Sequence, residues 1–187
     1  QQHNCVVVSV SIRENKLRWA SDLTNEQHLN ISNENTQSLP DSIGILTSLQ
    51  HLNISNNHKL ESLPESIGNL TNLQYFRIFN NRKLESLPDS IGNLTNLQHL
   101  SISDNLIPRS LPSSIGNLTN LQHLVIARNN FRSLPSWIGN LTNLEHLVIS
   151  DNRGFLSRFF LIGKLTNLQY LDISFNYDIR SLPSSIG

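Results

Sequence analysis

Cysteine is nearly absent from this chain of 187 residues: Cys5 is its only one. A lone cysteine makes no internal disulfide, so no disulfide framework holds the fold. Cys5 stands beside Val6, Val7 and Val8 and reads as a small buried hydrophobe, not a nucleophile. That favours a reducing compartment, or a secreted protein that does without bridges. Net charge is absent too, with 14 Lys and Arg against 14 Asp and Glu. The balance removes the basic footprint of a nucleic-acid binder or a polybasic membrane binder. No apolar run approaches the ~20 residues that span a bilayer, so no membrane insertion is expected. Methionine is missing, the chain begins with Gln and no secretory leader is visible, which reads as a mature or trimmed product.

What the chain has is repetition. The Ile-Gly pair recurs at Gly44, Gly68, Gly92, Gly116, Gly139, Gly163 and Gly187, at steps of 24, 24, 24, 23, 24 and 24 residues. One unit places apolar residues at Leu70, Leu73, Phe76 and Ile78. The final spacing of two means a short strand with Phe76 and Ile78 facing inward. An Asn follows six of the seven repeat strands, at 57, 81, 105, 129, 152 and 176, and Glu34 takes its place in the first unit. Its amide suits a tight turn, and a stack of such amides satisfies turn backbone that is otherwise buried unpaired. Leu-Pro comes next, as in Leu63-Pro64 and Leu87-Pro88. The residue before Pro is extended, and Pro itself suits the first position of a short helical turn. One such unit cannot bury its apolar face, but a stack shares one continuous core.

These residues resemble the leucine-rich repeat family. The pattern L-x-x-L-x-x-L-x-I-x-x-N stands here as Leu46, Leu49, Leu52, Ile54 and Asn57. The continuation L-P-x-S-I-G-N-L is similar to Ras-suppressor-like, plant immune-receptor and bacterial-effector repeats. The resemblance implies an α/β solenoid shaped as a horseshoe. A parallel sheet lines its concave face, and short helical or 3-10 turns line its convex face. It further implies a non-catalytic domain that binds a protein partner on the concave sheet, within a larger immune, signalling or effector protein. Carbohydrate or cell-surface recognition and a self-associating scaffold are the alternatives. The missing cysteine caps favour a cytoplasmic setting, bacterial or in the cytosol of an effector's host, and leave a secreted one open.

About seven units cover residues 23–187, the last incomplete and uncapped, which leaves self-association through that end open. Residues 1–22 depart from the repeat. The alternation in "CVVVSVSI", with a turn at "RENK" and a return through "LRW" at 17–19, predicts a β-hairpin cap.

On the concave face the repeat forms columns. The first carries five of the seven histidines: His28, His51, Tyr75, His99, His123, His146, Tyr170. A straight ladder of rings is no metal cage, so neither metal nor cofactor is expected. The informative places are where columns break. Tyr75, Arg77 and Phe79 put two aromatics and an Arg on one strand, the residue types enriched at binding hot spots. Val125 and Val148 sit side by side with His99, His123 and His146. Arg128 and a cluster of Tyr170, Asp172 and Phe175 complete the expected surface. Residues 151–168 lose the Leu-Pro pair, with Arg158 and Phe159 in its place. Either Phe155, Leu156 and one of Phe159 or Phe160 move in while Arg158 swings to solvent, or Arg158, Phe159 and Phe160 form an exposed secondary patch on the outer arc. An Arg in a core position is costly, so that arc must shift.

Overall fold

The computed structural model describes residues 8–10, 20, 22–32, 35–107, 110–131, 134–152 and 159–176. Eight strands form one open parallel sheet in sequence order. They are β1 Val8–Val10, β2 His28–Ser32, β3 His51–Ser55, β4 Tyr75–Phe79, β5 His99–Ser103, β6 His123–Ala127, β7 His146–Ser150 and β8 Tyr170–Asp172. Residues one repeat apart face each other: Leu52 pairs with Phe76, Phe76 with Leu100, and Leu100 with Leu124. The register follows from the repeat, because a slip of one residue would turn every inward side chain outward. The two inward residues of each strand from β2 to β7 are buried, Phe76 and Ile78 completely.

Each unit returns through a 3-10 helix: Asp41–Ile45, Glu65–Asn69, Asp89–Asn93, Ser113–Asn117, Ser136–Asn140 and Phe159–Lys164. Pro40, Pro64 and Pro88 sit extended just before the first three, one residue earlier than the sequence predicts. The fixed φ of Pro ends the extended segment and starts the turn. One apolar layer fills the space between sheet and 3-10 arc, running from Leu29 to Leu165.

The turns after the strands are held by buried amides. Asn105 donates from Nδ2 to the Ile78 and Ser103 carbonyls at 3.0 and 2.9 Å. Its Oδ1 accepts the backbone N–H of Asn81 at 3.0 Å. Asn57, Asn81, Asn129 and Asn152 repeat the pattern toward their neighbours. A second amide ladder, at the other end of the strands, escaped the sequence reading. Asn72, Asn96, Asn120, Asn143 and Asn167 donate to Thr carbonyls of the preceding unit at 2.7–2.9 Å.

The glycines allow the 3-10 helices to touch. A Cβ added to Gly92 would lie 2.5 Å from the Ser114 Cβ and 2.6 Å from its carbonyl oxygen. Gly68 meets Ser90 in the same way. The hydroxyls of Ser42, Ser66, Ser90 and Ser114 are buried without a hydrogen-bond partner, so small size is what these positions require. Gly92→Ala is expected to destabilise the domain by about 2 kcal/mol, because backbone atoms cannot swing aside. A melting temperature equal to that of the unmodified chain would refute this reading.

Two expectations fall partly outside the described residues. β1 runs parallel to β2 and pairs Val8 with Leu29 and Val10 with Ile31. It is thus an eighth rung of the sheet; the return arm of the expected hairpin, residues 17–19, lies outside the described residues. Ala20, buried, and Asp22 are helical between β1 and β2. In the aberrant unit the 3-10 helix Phe159–Lys164 persists, with Leu161 and Ile162 buried. Phe160 turns outward at 61% exposure. Arg158 and the Phe159 side chain lie outside the described residues.

Candidate recognition surface

Because side chains alternate along a strand, β4 turns Tyr75, Arg77 and Phe79 away from the core, each half-buried. The Arg77 guanidinium lies over the Phe79 ring, 4.6 Å from its centroid, a cation–π geometry. Adjacent strands carry Asn53 and Ser55, or Ser101 and Ser103, at the paired positions. Val125 and Val148 pair across β6 and β7 and are half-buried. Tyr170 is 51% exposed, and Asp172 accepts the Ser174 N–H at 2.9 Å. The strands thus bring Tyr75, Arg77, Phe79, His99, His123, Val125, His146, Val148, Tyr170 and Asp172 onto one sheet face.

Arg128 and Phe175 sit instead on the turns that follow the strands. They belong to a column, Asn56, Asn80, Asp104, Arg128, Asp151 and Phe175, with φ from 50 to 58°. The left-handed region is tolerated by Asn and Asp and strained for bulkier residues. Asn or Asp stands just before four of the five buried Asn residues, and Arg128 before the fifth. Arg128 spans to Asp104 through paired bonds of 2.6 and 2.7 Å. Phe175 is 79% exposed.

The first column is a stack of rings. Centroids lie 4.3 Å apart for His28–His51, 4.2 Å for His99–His123 and 4.3 Å for His123–His146. Tyr75 and Tyr170 join at 5.6–5.8 Å. The rings lie face to face, so their nitrogens do not converge. Among the described residues no group of three or more His, Cys, Asp or Glu is placed to hold a metal.

Burial first, and neighbouring imidazoles second, hold His51, His99 and His123 below the ordinary imidazole value. Glu145 opposes the shift at His123. A depressed folded pKa means that the unfolded chain takes up protons first as pH falls through ~6.5. Stability is therefore unaffected above that value and lost below it, down to the folded pKa values. The melting temperature is expected to fall from about pH 7 to about pH 5.5. His99→Asn with His123→Asn should flatten that slope; an equally steep slope in this variant would remove the histidine stack as its cause.

With this geometry in place, the comparisons with known proteins are direct. A family model described as a leucine-rich repeat region matches residues 3–104 and 67–186. The chain belongs to the leucine-rich repeat family. No curated protein matches it. Among solved structures it is similar to a leucine-rich repeat protein of Leptospira interrogans, at 29% identity and TM-score 0.68, over 96% of this chain and 50% of that one. It is similar to the leucine-rich repeat domain of the type III effector XopL, at 27% identity and TM-score 0.72, over 96% and 72%. It also resembles the plant peptide hormone receptor RGFR1 in complex with RGF2, at 28% identity and TM-score 0.61, over 91% and 31%. The chain thus spans half the length of the Leptospira protein and about a third of the plant receptor. The fold and family are generally those of protein-interaction repeats without catalytic activity. No helix among the described residues is long and apolar enough to cross a membrane.

Proposed function

We propose that this chain is a non-catalytic recognition domain of a larger signalling or effector protein, and that it binds a protein partner on its concave sheet. The observation that carries the reading is β4. Its three outward positions hold Tyr75, Arg77 and Phe79 where the flanking strands β3 and β5 hold mostly Asn, Ser and His. Tyr and Arg are over-represented among residues that dominate binding energy. Support comes from Arg128 and Phe175, bulky residues held in a left-handed conformation that neighbouring units fill with Asn or Asp. Backbone strain of this kind persists where a side chain is needed in place. The plant receptor that this chain resembles was solved in complex with RGF2, a precedent for ligand recognition by a related solenoid.

The test converts β4 into β3: Tyr75→His, Arg77→Asn and Phe79→Ser together. All three are surface positions matched to a working unit, so melting should change little. Affinity for a protein captured by the unmodified domain is expected to fall about thirtyfold or more, the scale of a hot spot. Unchanged affinity would put the partner elsewhere.

Carbohydrate recognition has one observation in its favour. Gln27, Ser48, Gln50, Asn72, Gln74, Asn96 and Gln98 line a polar groove of about 500 Å³ at the start of the strands. Amides donate to and accept from sugar hydroxyls. A glycan array probed with the same preparation separates the readings: glycan binding abolished by Gln50→Ala and Gln74→Ala, and untouched by the β4 conversion, would favour the sugar.

A further inference from the structure

One cross-strand row runs through the middle of the sheet. Arg77 pairs with Ser101, Ser101 with Val125, Val125 with Val148, and Val148 with Asp172. Arg77 and Asp172 are the only fixed charges that strands β2–β8 turn outward among the described residues. Neither has an ion-pair partner among those residues. Arg77 faces neutral Asn53 and Ser101 across the ladder, and Asp172 faces Val148 and bonds to Ser174. The described ion pair of the face, Arg128 with Asp104, lies on the rim and is satisfied internally. A row with a cation at one end, an anion at the other and two valines between them is a strip with a direction. The stacked rings of Tyr75, His99, His123, His146 and Tyr170 form a continuous wall along one side of it.

Resting on the protein-binding reading above, we infer that this row takes one extended peptide segment of the partner, lying across the strands with an acidic residue over Arg77, an aliphatic residue over Val125 and Val148, and a Lys or Arg over Asp172. The dimensions set the spacing. Four steps between strands, each about 4.8 Å, separate the charges by about 19 Å. An extended chain covers that in about six residues at ~3.3 Å each. Side chains of an extended segment alternate, so the residues facing the sheet are i, i+2, i+4 and i+6. The acid and the base stand six residues apart, at i and i+6 in the order the backbone direction sets, with an aliphatic residue at i+2 or i+4. A segment lacking either charge would cover Arg77 or Asp172 without compensation, which is costly once water is excluded. Complementary charges select the partner and fix its register.

The experiment is selection of a random peptide library, displayed on phage, against the full chain at neutral pH. Enriched peptides are expected to carry an acid and a base six residues apart, with an aliphatic residue between them. A synthetic peptide of the leading sequence should lose about tenfold in affinity on Arg77→Gln or on Asp172→Asn. The exchange Arg77→Glu with Asp172→Lys should invert the order of the two charges in the enriched sequences, an outcome that general weakening cannot imitate. Enriched peptides that Val125→Arg blocks, but that show no such spacing, would overturn the row and leave concave-face binding standing. Peptides indifferent both to Val125→Arg and to the β4 conversion, or no enrichment, would count against both.

Discussion

Asn105→Leu is expected to cost the domain about 3 kcal/mol, seen as a lower denaturant midpoint with an unchanged slope. Asn105 is 2% exposed, and its amide closes four contacts at once. Without it the Asn81 N–H loses its acceptor and the Ile78 carbonyl loses a donor. The Ser103 carbonyl keeps one donor, the Asn80 N–H at 3.0 Å. Leu matches the shape of Asn but offers the Asn81 N–H no acceptor, and a buried group left so costs about 1–3 kcal/mol, to which the lost bonds to the two carbonyls add. The matching control is Asn96→Ala in the second ladder. Its bond to the Thr71 carbonyl, 2.8 Å, is exposed to solvent, so water replaces it at a cost under about 1 kcal/mol. Equal losses at the two positions would mean that burial is not what makes the inner ladder matter.

Phe76→Ala carries the largest expected effect on stability, about 4 kcal/mol. Phe76 is wholly buried and lies between Leu52 and Leu100 in the ladder. The shared core of a stacked array relaxes little around the cavity. Phe79, three residues along the same strand, points to the other face, and Phe79→Ser should change stability by less than ~1 kcal/mol. The pair of measurements separates the two faces of one strand. Thermal or denaturant melts that rank Phe79 with Phe76 would place β4 in the wrong register.

Much of the solenoid was legible because the repeat encodes it several times. The spacing of Phe76 and Ile78 is repeated at Leu100 and Ile102, so an error in one unit is corrected by the next. The buried Asn ladder was legible for the same reason, and because an amide is the side chain that both donates and accepts. Other features were not, for physical causes. The left-handed turn column is filled by Asn, Asp, Arg and Phe, and no glycine marks it. The pairing of β1 with β2 was not legible, because alternation in Val6 to Ile12 fits any strand and periodicity does not say which strand it joins or in which direction. Its true cue is short, the match of Val8 and Val10 to Leu29 and Ile31. The proposed recognition surface is legible only as departures from the consensus. Those departures name Tyr75, Arg77 and Phe79, and the fold adds that Arg77, Val125, Val148 and Asp172 share one row.

The most direct test of the central claim is site-specific photo-cross-linking. A photoreactive phenylalanine analogue is placed at Phe79 on the concave strand, and separately at Ser113, which is exposed at the start of a convex 3-10 helix. Both variants are exposed to the same source of partners, and adducts are resolved by mass. A protein adduct from position 79 and none from position 113 is the predicted result. Adducts from position 113 with none from position 79 would contradict recognition on the concave face.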